Sequence, residues 1–340
     1  MDPILQPLSV VYRLGVGIRH AAYRRGWLKT RRLTRPVVSV GNLTVGGTGK
    51  TPLVAFLARA LLKRGWTPGI LTRGYGRRRG ADLLALAPDA QRAPKALEVG
   101  DEPAWLAQAL PEVPIVICAD RYRAGQLAEE RFHVGVHLLD DGFQHRALAR
   151  DVDVVVLDVT QEFSDRALLP AGRLREPCAA LGRAQIVVIS RVELGDPGPL
   201  DEAVIRINPH ARVFHSTTTL GGVTDVETRR VHPLEELRGK GVAAFCGIGN
   251  PQAFFADLGA WGFNVVSREA FPDHHVYTEE ELSRVSKRAR AAGAAALLIT
   301  EKDALNFPPR WASVLPVLAC AIQTAVAESG GFEAALLERL

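Results

Sequence analysis

The residues best suited to chemistry lie between Val37 and Pro52, where an apolar run passes into a glycine-rich turn, Gly46-Gly47-Thr48-Gly49-Lys50-Thr51. Glycines let backbone N–H groups converge on phosphate oxygens, and a helix that starts at the same point adds its positive end. Lys50 is placed to reach the outer phosphates of a nucleotide, and the Thr51 hydroxyl to take a coordination place on magnesium. The match to the standard G-x-x-x-x-G-K-[ST] loop is incomplete, because Thr44 stands where its first glycine belongs. Read as K-G-G-x-G-K-T, the loop has Val45 in place of the first lysine. The strand-like run before it and the helical pattern after it still give a phosphate loop the setting it needs.

A metal-bound triphosphate also needs carboxylates. The run Val134–Leu139 ends in Asp140-Asp141, where such a site holds or orients its Mg2+. Two adjacent anions repel unless a cation is present, which favours this pair over Asp158 at the end of Val154–Leu157 and over an ordinary solvated turn. Further on, Leu169–Pro177 places Arg173, Arg175 and Glu176 in a tight loop, groups that suit phosphate charge and metal.

These residues must be held by elements, and the chain alternates apolar runs with helical patterns. Val37–Val40, Thr67–Leu71, Val113–Cys118, Val134–Leu139, Asp153–Leu157 and Ile186–Ile189 read as buried strands; Leu53–Arg64, Glu102–Leu110 and Arg121–Arg131 read as helices. A second set comprises Val213–Ser216, Val242–Phe245, Asn264–Ser267, a helix over Glu279–Ala292, Ala295–Ile299 and Val314–Val317. Breakers separate the sets at Gly195-Asp196-Pro197-Gly198-Pro199 and Asn208-Pro209-His210. The expectation is an α/β protein: a P-loop NTPase-type core with a mainly parallel sheet flanked by helices over 36–212, and a second, smaller α/β domain over 213–340. With 340 residues, 47% of them hydrophobic, two domains are the better prior.

Charge is uneven. Residues 3–81 hold 16 Lys and Arg and no acidic residue, whereas 82–340 hold 26 basic and 36 acidic residues. Within 1–35, Arg13, Arg19, Arg24, Arg25, Lys29, Arg31, Arg32 and Arg35 interleave with apolar and aromatic residues. On a helix, Leu8, Val11, Tyr12, Ile18 and Ala22 share one face, with Arg13, His20 and Arg24 opposite. Such a helix suits an anionic membrane surface or packs on the core; nucleic acid is disfavoured, since no recognisable binding module accompanies the charge. No apolar run reaches the roughly 20 residues of a membrane span, and no cleavable signal is visible. Four scattered cysteines without a C-x-x-C pair argue against a zinc site or disulfide framework and for a reducing compartment.

The motifs GNLTVGGTGKTP (41–52), TRGYGR (72–77), GDEP (100–103), ADRYRAG (119–125), LLDDGFQH (138–145), LLPAGRLREP (168–177), FCGIGNPQAFF (245–255), FPDHHVYT (271–278) and TEKD (300–303) occur in this order. Together they resemble the tetraacyldisaccharide 4′-kinase (lipid A 4′-kinase) family. The resemblance implies ATP- and Mg2+-dependent phosphorylation of the 4′-hydroxyl of a tetraacylated glucosamine disaccharide 1-phosphate, at the cytoplasmic face of the inner membrane. It implies two α/β domains, a peripheral membrane-associating N-terminal helix and a lipid substrate; a monomer is expected.

Carried over by position, Lys50 and Thr51 match the phosphate-loop lysine and metal-ligating threonine, Asp141 the metal-associated aspartate with Asp140 beside it, and Glu176 an acidic residue near the nucleotide phosphates. Asp101 matches the catalytic base and His274 its partner, His275 being the rival ring. Without the resemblance, Asp101 reads more readily as an ordinary helix N-cap. Arg73, Tyr75 and Arg121 follow predicted strands at the edge where ligands collect; each suits the sugar or its 1-phosphate, or a loop salt bridge. Thr300–Asp303 is placed near the base or hinge. Two other classes compete. One is a metallochaperone-type P-loop GTPase, for which Ile189–Glu193 supplies no N-K-x-D motif; the other is a membrane-bound nucleotide switch without catalysis.

Overall fold

The computed structural model describes residues 5–75, 77, 81–89, 95–161, 167–308 and 310–340. Residues 1–4 of the basic N-terminal segment and Gly76 of TRGYGR lie outside the described residues.

The sequential strands are β1 (Val37–Gly41), β2 (Pro68–Thr72), β3 (Leu83–Leu86), β4 (Ile115–Cys118), β5 (Val136–Asp140), β6 (Val152–Asp158), β7 (Ile186–Ser190), β8 (Arg212–Asp225), β9 (Val231–His232), β10 (Gly241–Cys246), β11 (Asn264–Ala270), β12 (Ala296–Thr300) and β13 (Val317–Val326). The helices are α1 (Gln6–Arg24), α2 (Lys50–Lys63), α3 (Ala96–Val99), α4 (Asp101–Ala109), α5 (Arg121–Phe132), α6 (Gly198–Ile207), α7 (Pro251–Ala260), α8 (Glu279–Ala291), α9 (Glu301–Ala304) and α10 (Ser329–Leu337). All described strands form one 13-stranded sheet in the order β11-β10-β12-β13-β8-β7-β6-β1-β5-β2-β4-β3, with β9 beside β8. The pairings are mainly parallel; β3 with β4, β8 with β13 and β8 with β9 are antiparallel.

Strands β1, β2, β4, β5, β6 and β7 are buried at every position. That is why they read as continuous apolar runs rather than alternations: helices cover both faces of a parallel sheet. Strand β8 differs. Its start pairs in parallel with β7 and its remainder in antiparallel with β13, and its polar, Thr-rich sequence alternates in burial, so only its apolar start was legible.

The N-terminal helix does not pack its apolar face on the core. Leu8, Val10, Val11, Leu14 and Ile18 are exposed, Ile18 at 69%, whereas Tyr12 and Ala22, expected on the same face, turn inward. The inner face is tied down by polar bonds. Ser9 Oγ donates to Leu168 O and accepts from Ala171 N, Tyr12 donates to Arg175 O at 3.0 Å, and His20 meets Glu176 at 3.1 Å. His20, placed by the wheel opposite the apolar face, thus lies on the docked side of the helix.

Candidate active site

Strand β1 lies between β5 and β6, parallel to both, so chain order reverses across it. In open α/β sheets, this switch point is where loops at the carboxyl ends of strands part to leave a crevice. The loops after β1, β2, β4 and β5 carry, respectively, the phosphate loop, Arg73 and Tyr75, Arg121, and Asp141.

The phosphate loop owes its shape to two glycines in the left-handed region, Gly46 (φ +106°) and Gly49 (φ +83°), the second leading directly into α2 at Lys50. Thr48 is fixed from both sides: its hydroxyl accepts from Asn42 Nδ2 at 3.0 Å and its carbonyl from Ser190 Oγ at 3.1 Å. A turn from the other half of the sheet rests on the loop. A Cβ on Gly249 would meet Gly47 N at 2.8 Å and the Gly46 Cα at 2.9 Å, so only glycine permits this backbone approach.

Charge concentrates behind the loop. Lys50 Nζ lies 3.6 Å from Asp141 Oδ1, and Arg175 Nη1 donates to both Asp141 oxygens at 2.8–2.9 Å. Burial alone would raise the Asp141 pKa, but Lys50 and Arg175 hold it below the usual carboxylate range. For Lys50, burial outweighs the pull of Asp141 and lowers the ammonium pKa. Asp140 is pushed up to about 7, first by burial and then by Glu102 and Asp141. Its Oδ1 is buried without a hydrogen-bond partner. The rival Asp158 is instead engaged, Oδ2 with Arg191 at 2.8 Å and Oδ1 with Thr160.

Linked to this cluster through Lys302, which feels both Asp140 and Asp101, is Asp101, the first residue of α4, 8% exposed. The preceding Gly100 (φ +99°) packs so tightly that a Cβ would lie 2.7 Å from Tyr75 O. Asp101 Oδ2 meets His274 Nδ1 at 2.8 Å. His274 sits at φ +59°, its amide bonded to Gly247 O and its ring 5.3 Å from that of Tyr75. The bond to Asp101 is the main reason its pKa is raised. His275 points away, onto Glu281 at 3.1 Å and the Phe271 ring.

The remaining sequence candidates fall into place unevenly. Arg121 is 4% exposed and donates to Cys118 O and Ala119 O, leaving its Nε without a partner; burial lowers its pKa to about 10. Tyr75 is 64% exposed and Arg73 is exposed. Glu176 spends its oxygens on Arg183 (2.6 Å) and His20 (3.1 Å). Glu102 and Asn306, which sequence reasoning did not assign, also meet here, together with Lys302, which it placed near the base or hinge. Lys302 reaches Glu102 at 3.5 Å, and Asn306 donates to Asp101 Oδ2 at 3.0 Å. Burial would lower the Lys302 pKa, but Glu102, Asp140, Asp101 and Asp273 together raise it. The TEKD motif was the signal for Lys302 and the GDEP motif for Glu102; none pointed to Asn306.

A phosphate cradle and paired carboxylates opposite a hydrogen-bonded carboxylate and imidazole supply what phosphoryl transfer asks for, namely alignment, charge neutralisation and a proton acceptor. Fold and site are those of a P-loop enzyme of the kinase type. The comparisons narrow the class. The model of the family described as tetraacyldisaccharide-1-P 4′-kinase matches residues 1–340. The tetraacyldisaccharide 4′-kinase of Geobacter metallireducens is 41% identical over 336 residues, covering 98% of this chain and 96% of the relative. That of Geobacter sulfurreducens is 40% identical, covering 99% and 93%. The crystal structure of the "apo" form of LpxK from Aquifex aeolicus in complex with ATP superposes with a TM-score of 0.76 at 31% identity, covering 98% of this chain and 97% of that one. The chain belongs to the tetraacyldisaccharide 4′-kinase family.

Proposed function

We infer that the ATP-dependent 4′-phosphorylation that defines the family is carried out in this chain by Lys50, Asp101 and His274 at the switch-point cleft. The chain is a kinase of lipid A biosynthesis, and its acceptor is an acylated disaccharide 1-phosphate. The observation that carries the residue assignment is the Asp101–His274 pair, with Lys302 in electrostatic reach of both Asp101 and the Asp140 beside the phosphate loop.

In this reading ATP lies with its phosphates in Gly46–Thr51, and Lys50 neutralises the outer oxygens. Thr51, Asp140 and Asp141 suit Mg2+, which takes few protein oxygens and keeps water and phosphate as its other ligands. The buried, partnerless Oδ1 of Asp140 fits a cation. The metal would neutralise charge developing on the transferred phosphate. Asp101 accepts the acceptor hydroxyl proton, and His274 holds the carboxylate. Arg73, Tyr75 and Arg121, on the same edge, contact the sugar or its 1-phosphate. Glu176 acts at one remove, next to the Arg175 that holds Asp141.

Residues 1–35 hold the enzyme, as a monomer, on the cytoplasmic face of the inner membrane. Among the described residues no helix is long and apolar enough to cross a membrane; the exposed apolar stripe of α1 and its basic neighbours suit peripheral binding. Two domains, 36–212 and 213–340, are supported by separate apolar cores, one set around β1–β7 and another around β10, β12 and β13. Val326, Phe332, Ala335 and Leu336 pack back into the first.

Purified protein incubated with ATP, Mg2+ and a tetraacyl disaccharide 1-phosphate tests the reading: a product phosphorylated at the 4′ position is expected, lost with Lys50→Ala. Nucleotide hydrolysis with no phosphorylated lipid would return the GTPase or switch alternatives, which the whole-chain family match does not favour.

A further inference from the structure

Asp101 is held by more than its histidine. Its Oδ2 accepts two bonds, from His274 Nδ1 at 2.8 Å and from Asn306 Nδ2 at 3.0 Å. Neither falls on Oδ1. Asn306 is 6% exposed, and facing an ionised carboxylate it can present only its NH2 group, since two oxygens would repel.

The backbone of Asn306 is fixed on both sides. Its N–H donates to Asp303 O at 3.0 Å, and its carbonyl accepts from Tyr277 N at 3.2 Å, on the segment that carries His274. Asp303 in turn takes bonds from Gly247 N and the Tyr277 hydroxyl, both at 2.7 Å. The two donors to Asp101 therefore sit on one hydrogen-bonded frame, which also includes the carbonyl of Gly247 that anchors His274.

We propose that Asn306 is a positioning residue for the catalytic carboxylate: with His274 it fills Oδ2 and leaves Oδ1 as the acceptor for the substrate hydroxyl proton. The inference rests on Asp101 as the base. A neutral amide suits this place. It fixes the carboxylate plane without adding a further cation beside Lys302, and a hydrogen bond to the charged form keeps a carboxylate ready to receive a proton. A base misplaced by about 1 Å can cost roughly 100-fold in rate.

The test compares Asn306→Leu, of similar volume without a donor, and Asn306→Ser, a shorter donor, with Asp101→Asn alongside. The readouts are kcat and KM for both substrates, the pH profile of kcat, and thermal melting. The groups that bear on the profile are Glu102 on α4, His274 and Asp273 on the 271–278 segment, and Lys302 on α9. For Asn306→Leu the expected result is kcat about 10-fold or more lower with KM for ATP within about twofold. Its acid limb moves to higher pH, and Asn306→Ser recovers part of both. An unmoved acid limb overturns the proposal, whether kcat is retained or falls in step with melting temperature, as a packing role would give. If Asp101→Asn itself keeps near-normal kcat, the reading of Asp101 fails first; if it is inactive while Asn306→Leu is normal, only the Asn306 inference fails.

Discussion

Asp140 carries an electrostatic conflict, a buried carboxyl beside Glu102 and Asp141 whose pKa is pushed up to about 7. The fold holds a proton there that the unfolded chain releases near the ordinary carboxylate value. Without metal, this group therefore costs stability as pH rises from about 4 to about 7, and the loss persists above. Asp140→Asn removes the ionisation, so the nucleotide-free variant should melt higher than the wild type at about pH 8, the gap closing as pH falls below 7. The same variant should lose Mg2+-dependent transfer. Proton and cation compete for Asp140, so the Mg2+ concentration for half-maximal activity should rise as pH drops through about 7. A flat Mg2+ requirement across that range would place the metal elsewhere. At this scale the sequence showed which residue types gather, but not their partners. Asp140-Asp141 was legible as an adjacent pair at a strand end, and Asp158 was ranked below it without knowledge of Arg191, which immediately follows the next strand. Asn306 lies 205 residues from Asp101, and no local pattern encodes so distant a bond.

Elements decide which side chains face which surface, and α1 shows how far a helical wheel reaches. The periodicity identified an amphipathic helix, but its polar stripe is the one that docks, through Ser9, Tyr12 and His20, leaving Leu14 and Ile18 outside. Hydrophobic pattern marks an apolar face and does not say whether protein or lipid covers it. Leu14→Glu with Ile18→Glu should weaken pelleting with anionic vesicles while leaving the melting temperature nearly unchanged, because neither side chain is buried; unchanged pelleting would remove the membrane role. Helix α6 was missed because Pro197-Gly198-Pro199 was read as a breaker, whereas proline in a first turn starts a helix. The glycine turn at 247–250 is a second element-scale constraint. Gly249→Ala should push that turn off Gly46 and Gly47 and raise KM for ATP several-fold; an unchanged KM would show that the contact does not shape the loop.

Across the whole molecule, the sheet runs unbroken from β11 to β3, and the two halves meet at the candidate site. The mainly parallel order was legible because buried strands announce themselves as apolar runs. The joining strands were legible only in part: beyond its apolar start β8 is polar and partly exposed, and β13, though largely apolar, begins at Val317, where the sequence reading had ended its strand. Asp101 comes from one half and His274 from the other, so the proposed catalytic pair exists only when the halves are correctly apposed. The most direct test is single-turnover transfer by Asp101→Asn at saturating Mg2+ and ATP, with nucleotide affinity measured in parallel. The account predicts a rate at least about 100-fold below wild type with ATP affinity unchanged. A rate close to wild type would contradict it.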